Sequence, residues 1–399
     1  MNKISLRGVT KVFGKQPERA LDLLARGMTR DEILRKEKLL IAVHDVSFDI
    51  EEGELFVVMG LSGSGKSTLV RMINRLHDPT SGSVEVDGED VTRMSASQLR
   101  ELRMTKISMV FQHFALFPHR RVWENAAYGL QVRGVDAAER RRRAMEALEI
   151  VGLTNFADAF PHELSGGMKQ RVGLARGLAT DADVLLMDEP FSALDPLIRR
   201  DMQNLLLDLQ RDLKRTIVFI THDLNEAMRV GDRIAVMRDG AVVQVGTGGE
   251  IIAEPANEYV ADFISDVDRS RCLTAEQVMK KPLLTASPDD DLRDLLNKLS
   301  ELEQNALYVL DPAGRILGVA KDHRIAQAIS QGKTRVRDVL IREHAEVHPS
   351  TRLINLSRLA AQDRVPIAVV DDERRLLGVV PRATLLAAIA GEEEAADAT

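Results

Sequence analysis

Nine consecutive residues, Gly60-Leu61-Ser62-Gly63-Ser64-Gly65-Lys66-Ser67-Thr68, constrain this chain more than any other segment. They fit the pattern G-x-x-x-x-G-K-[ST]. They lie between an apolar run at 55–59 and a helical stretch at 69–76, so a strand, a tight loop and a helix must follow one another. Glycines let the loop's N–H groups turn inward toward phosphates. The helix start adds a favourable dipole. In such a loop Lys66 neutralises β- and γ-phosphates and the Ser67 hydroxyl coordinates Mg²⁺, so ATP and Mg²⁺ are the expected cofactors.

Apolar runs at 106–111, 184–187 and 216–220 read as further buried strands. Alternating with amphipathic helices, they predict an α/β fold with a mostly parallel sheet over the first ~265 residues. The charged segment 15–41 interrupts this pattern and reads as a helical insertion between strands near 6–12 and 42–50. Thr29-Arg30-Asp31-Glu32 predicts a capping box there. The run at 184–187 ends in Asp188 and Glu189. A carboxylate at a strand end can hold Mg²⁺, the role expected of Asp188. Glu189 then faces the γ-phosphate and polarises the attacking water.

The 399 residues predict two or three domains. A net charge of −7 argues against a nucleic-acid surface, which shows a basic stripe. Cys272 is the only cysteine, which fits a reducing compartment. The N-terminus reads as free of a signal peptide. Apolar runs are far shorter than the ~20 residues of a spanning helix, so membrane work is expected to pass through a partner chain. The four arginines at 140–143 read as a solvated helix face.

The C-terminal part repeats itself. Val278, Pro288 and Leu292 recur at one fixed offset as Val339, Pro349 and Leu353. Val309, Asp311, Gly318 and Ile329 recur as Val369, Asp371, Gly378 and Ile389 at an offset one residue shorter. Each unit reads as a short helix, a helix after the proline, two strands joined by an Asp-containing turn, and a last helix. The acidic tail 392–399 is expected to be disordered.

Leu164-Ser165-Gly166-Gly167-Met168-Lys169-Gln170 matches the signature LSGGxxQ, and with the loop above the chain resembles the ABC (ATP-binding cassette) ATPases. The resemblance implies a head-to-tail homodimer in which Ser165, Gly166, Gly167 and Gln170 of one copy meet the nucleotide of the other. It makes Gln112 a sensor of Mg²⁺ and water, His222 a switch contacting the γ-phosphate, and Ser192-Ala193-Leu194-Asp195 a dimer-contact loop beside the nucleotide. It places Phe13 under adenine and makes 114–163 the helical subdomain that meets a membrane partner, with 114–118 as socket.

The insertion, the loop written GLSGSGKST and the C-terminal repeat together resemble the ATP-binding subunits of the glycine betaine/proline betaine importers. That implies an ABC ATPase domain over 1–268, and CBS (cystathionine-β-synthase) motifs over 275–332 and 333–391 used for regulation. It also implies an integral-membrane permease, a periplasmic or lipid-anchored substrate-binding protein, and a peripheral place on the cytoplasmic face of the inner membrane. Proline, choline, carnitine and ectoine are alternative solutes. Adenosine-binding CBS motifs often read G-h-x-[ST]-x-x-D, but here the units read Gly318-Val319-Ala320-Lys321-Asp322-His323-Arg324 and Gly378-Val379-Val380-Pro381-Arg382-Ala383-Thr384. Lacking the hydroxyl and final aspartate, they argue against simple AMP or ATP binding. A cyclic dinucleotide, an ionic-strength response and a structural role are the alternatives.

Overall fold

The computed structural model describes residues 2–112, 115–192, 194–265, 268–362 and 365–390, without the side chain of Leu213. Phe114, Ala193 and the tail 392–399, singled out above, lie outside them. The chain divides into two compact units, Met1–Ser265 and Asp266–Thr399.

In the first unit the strands Ile107–Val110, Val184–Asp188, Thr216–Thr221, Leu55–Met59, Arg233–Arg238 and Ala241–Gly246 form one sheet in that spatial order. All neighbours are parallel except the last pair. Every residue of Leu55–Met59, Val184–Asp188 and Thr216–Thr221 is buried. Continuous apolar strands of this kind belong to a parallel sheet covered on both faces.

The strands near the N-terminus depart from the expectation of a single sheet. Asn2–Phe13 pairs antiparallel with Leu40–Glu51 and with Ser81–Val86, in a separate four-stranded sheet that also contains Glu89–Asp90. Burial along Leu40–Glu51 largely alternates, the signature of an antiparallel strand with one face on the core. Side chains of both sheets and of the helix Lys66–Ile73, including Ile4, Val46, Phe56, Leu69 and Val84, meet in one core. Phe48 stacks on Phe56 at 4.8 Å.

The insertion forms two helices, Glu18–Ala25 and Arg30–Glu37, with a small core of Val12, Ala20, Ile33, Leu39 and Ile41. Burying a side chain such as Ile33 contributes about 1.5–3 kcal/mol. The Thr29–Glu32 capping box is present. Lys38, at φ 58°, turns the chain back into Leu40–Glu51.

Beyond the parallel strand Ile107–Val110, the helices Val122–Ala126, Tyr128–Val132 and Ala137–Ile150 precede two single 3₁₀ turns and the helix Gly166–Ala179. The fully buried Asn125 pins the loop before them, donating to the carbonyls of Phe117, Arg120 and Arg121 and accepting from Phe117 N at 2.8 Å. Arg142 and Arg143 pair with Glu139 and Glu146 on an exposed helix face. Among the described residues no helix is long and apolar enough to cross a membrane.

The second unit holds two three-stranded sheets of identical order. One is Thr285–Ala286, Ala306–Leu310 and Ile316–Lys321; the other is Glu346–Val347, Ile367–Val370 and Leu376–Val380. In each, the first pair is parallel and the second antiparallel. Tyr308, Ile316 and Val319 of one repeat pack with Ala368, Val370 and Val379 of the other. Asp311 accepts from the backbone N–H groups of Ala313 and Arg315 and from Arg315 Nε. Asp371 does the same with Glu373 and Arg375, so the repeated aspartate locks a repeated turn.

Candidate active site

The carboxyl ends of parallel strands open onto the crevice where α/β sheets bind ligands. Leu55–Met59 runs into the Gly60–Thr68 loop, and Asp188 closes Val184–Asp188 with Glu189 directly after it. Gln112 follows Ile107–Val110 and His222 follows Thr216–Thr221. Four distant segments thereby converge. One cleft of about 570 Å³ is lined by Phe13, Leu61, Ser62, Gly63, Gly65, Lys66, Ser67, Thr68, Gln112, Glu189 and His222, together with Arg30, Leu40, Ile41 and Ala42.

The loop needs glycine at two places for different reasons. Gly60 has φ 150°, and a Cβ there would meet the Met237 carbonyl at 2.2 Å. Gly65 has φ 101°, and its Cβ would meet the Ala42 carbonyl at 2.3 Å. Lys66 is 4 % exposed and donates to the carbonyls of Gly60 at 2.8 Å and Leu61 at 2.9 Å. Burial pushes its ammonium below the usual value, opposed by the Glu189 and Asp188 carboxylates. The Ser64 hydroxyl is buried with no hydrogen-bond partner among the described residues. A buried cation resting on loop carbonyls and a partnerless hydroxyl fit a loop built for an anion.

Asp188 is fully buried; it accepts from Ser67 Oγ at 2.7 Å and pairs with Arg71 Nη2 at 3.0 Å. Ser67 and Arg71 stand four residues apart on one helix, hence on one face. That spacing is the signal by which Arg71, missed in the sequence, could have been found. Glu189 Oε2 accepts from Gln112 Nε2 at 3.1 Å and lies 3.2 Å from His222 Nδ1. Its backbone sits at φ 46°, a conformation costly for a non-glycine residue and held by the bond from Glu189 N to the Ile220 carbonyl. Hydroxyl, carboxylate and amide oxygens from Ser67, Asp188 and Gln112 suit Mg²⁺, which also takes phosphate and water oxygens.

The signature residues do not line this cleft. Ser165 caps the helix Gly166–Ala179, accepting from Met168 N at 3.3 Å, and both Ser165 and Gly166 are exposed. Gly167 approaches Leu194 and Ile198. Gln170 is 3 % exposed, and its amide has no hydrogen-bond partner among the described residues. Asp195 is exposed and caps the helix Pro196–Leu213 through Oδ1, which accepts from Leu197 N and Ile198 N. Phe13 stands on the cleft wall, with His77 at its edge and Lys11 Nζ 5.1 Å from its centroid.

Behind His222, Glu226 is buried and accepts from Thr221 Oγ1 and from Gln203 Nε2 at 3.0 Å. Burial raises its carboxyl above the usual range.

Comparison with known proteins follows the same division of the chain. A family model described as ABC transporter matches residues 43–192. One described as CBS domain matches 275–331 and 336–391. The glycine betaine transport ATP-binding protein OpuAA of Bacillus subtilis is 49 % identical, over 98 % of this chain and 93 % of its own. The glycine betaine/carnitine transport ATP-binding protein GbuA of Listeria monocytogenes is 46 % identical, over 98 % and 99 %. A solved dimeric post-hydrolysis state of the ATP-binding cassette MJ0796, bound to ADP and Pi, superposes with TM-score 0.53 at 34 % identity. It covers 61 % of this chain and 98 % of that one.

Proposed function

This chain belongs to the ATP-binding subunits of glycine betaine ABC transporters, and on that premise we propose that it hydrolyses ATP to drive uptake of glycine betaine or a related quaternary ammonium solute through a separate membrane permease. The observation that carries the ATPase reading is the convergence of Lys66, Ser67, Gln112, Glu189 and His222 on one cleft at the sheet's carboxyl edge.

In this reading the backbone N–H groups of Gly60–Thr68 cradle the phosphates, and Lys66 turns from the loop carbonyls onto the β- and γ-phosphate oxygens. Ser67, Asp188 and Gln112 hold Mg²⁺, which when bound neutralises charge developing on those oxygens. Glu189 orients a water in line with the γ-phosphorus and draws on its proton as the β–γ bridge breaks, leaving ADP and phosphate. His222 donates to the γ-phosphate, which frees Glu189 Oε2 from its present neighbour.

Ser165, Gly166 and Gly167 face solvent or another segment rather than the phosphate loop, which favours a head-to-tail homodimer in which a second copy's signature completes each site. The permease docks on the groove of about 270 Å³ beside the helical region, where Leu76 and Val132 are exposed next to Phe111 and Tyr128. Phe117, expected in the socket, packs at 4.5 Å against Tyr128, which lines this groove. A substrate-binding protein outside the membrane selects the solute, the CBS pair regulates the motor, and the subunit works at the cytoplasmic face.

The test is Glu189→Gln in cells that depend on this chain and its permease. Uptake of labelled glycine betaine should stop, while the purified variant binds ATP and elutes as an ATP-dependent dimer. Uptake at the unaltered rate would overturn the assignment of Glu189.

A further inference from the structure

The insertion does more than lengthen the link between two strands. Its second helix begins at Arg30, and that side chain lines the same cleft as the phosphate loop. The guanidinium Nη2 donates to the Ile41 carbonyl. It also lies close to Gly240, where a Cβ would approach Nη2 to 3.1 Å. Gly240 N donates to the Ser64 carbonyl at 3.0 Å, so Arg30 reaches the phosphate loop through one residue. Its position is held by the Thr29–Glu32 capping box on one side and the Ile33 core on the other.

The cleft has two distinguishable ends. Gln112, Glu189 and His222 gather at the carboxyl ends of the parallel strands, where the proposed reaction puts the γ-phosphate. Phe13 and Leu40 are register partners on the antiparallel sheet, Ala42 follows on the same strand, and Arg30 lies with them. We propose that Arg30 is a nucleotide contact on the nucleoside side of this cleft, so that the inserted helix pair forms one wall of the ATP site. A guanidinium has five N–H donors and a planar face; one donor is engaged by Ile41, leaving others for ribose oxygens or purine nitrogens. Burial lowers the Arg30 pKa from its ordinary value, with Asp239 and Asp31 opposing, so a polar ligand would restore lost solvation.

The inference rests on the reading that this cleft takes ATP, and the experiment separates the two. Binding of MgATP, MgADP and inorganic tripolyphosphate is measured for the full chain and for Arg30→Ala, Arg30→Lys and Lys66→Ala. Arg30→Ala should weaken MgATP and MgADP about tenfold, the scale of a lost charged hydrogen bond, with tripolyphosphate unchanged. Unchanged tripolyphosphate binding also shows that the loop is still folded. Arg30→Lys should recover only part, since an ammonium lacks the planar fork. MgATP binding within about twofold of the unaltered chain, or an equal loss of tripolyphosphate, overturns the role of Arg30. If instead Lys66→Ala leaves all three probes bound normally, the ATP reading itself falls.

Discussion

Charged side chains are handled in opposite ways by the phosphate-loop cleft and by the turns of the C-terminal repeats. In the repeats Asp311 and Asp371 each satisfy two backbone N–H groups and an arginine of the same turn, so both carboxylate oxygens are engaged locally. In the cleft Lys66 rests on carbonyls, Glu189 shares one oxygen between Gln112 and His222, and Ser64 has no partner among the described residues. Groups that satisfy one another within a few residues build architecture. Groups brought from distant strands and left incompletely paired are available for chemistry.

The sharpest way to break this contrast is Lys66→Ala. Its ammonium donates to two loop carbonyls and feels the Glu189 and Asp188 carboxylates without a hydrogen bond to either among the described residues, so its loss should cost little fold stability but about 100-fold in MgATP affinity. Thermal unfolding without nucleotide and titration with MgATP check the two halves. A large drop in midpoint with intact affinity would make Lys66 an architectural residue like Asp371.

Glu226 lies between the extremes, being near His222 but fully engaged with Thr221 and Gln203. Its folded-state pKa is raised by burial. Such a group contributes stability that is complete below the unfolded value of about 4.5 and is lost as pH rises through the raised folded value. Glu226→Gln removes the buried charge and can keep both hydrogen bonds. The variant should therefore unfold about 2–4 °C above the unaltered chain at pH 8 and level with it near pH 4. Melting curves across that range test this; a gap independent of pH would show that the carboxylate is not the cause.

Much of the cleft was legible because its parts have short, local signatures. The glycine loop, the strand ending in Asp188 and Glu189, and the polar residues after two other strands each follow an apolar run in the sequence. The expected α/β class holds, but the separate antiparallel sheet is hidden in the alternation of Leu40–Glu51, which marks a strand without naming its partners. Thr285–Ala286 and Glu346–Val347 are two-residue strands, too short to carry any period. Arg30 reaches the cleft by a tertiary fold of the insertion, and Glu189 takes its left-handed backbone from the sheet edge beside it. At Gln170 and Asp195 the motif match marks the position, and burial and helix capping set the surroundings each side chain has within one chain.

The smallest effect is expected where the comparison began, at the repeated turns. Asp371 is held below the usual carboxylate range, first by the backbone N–H of Arg375 and then by the Arg375 side chain acting against desolvation. A depressed folded value means stability that is present above the unfolded pKa of about 3.8 and lost as pH falls through the folded one. In Asp371→Asn the amide oxygen still accepts from the backbone, but the pair with Arg375 is gone. Because exposed ion pairs contribute little, the unfolding midpoint should fall by only about 1–2 °C at pH 7, and the gap should close in acid. Asp311→Asn should behave alike, since Arg315 repeats the arrangement. Neither variant should alter MgATP affinity. A loss of affinity in either one would mean that these turns do reach the chemistry, and the distinction between satisfied and waiting charges would not hold for this protein.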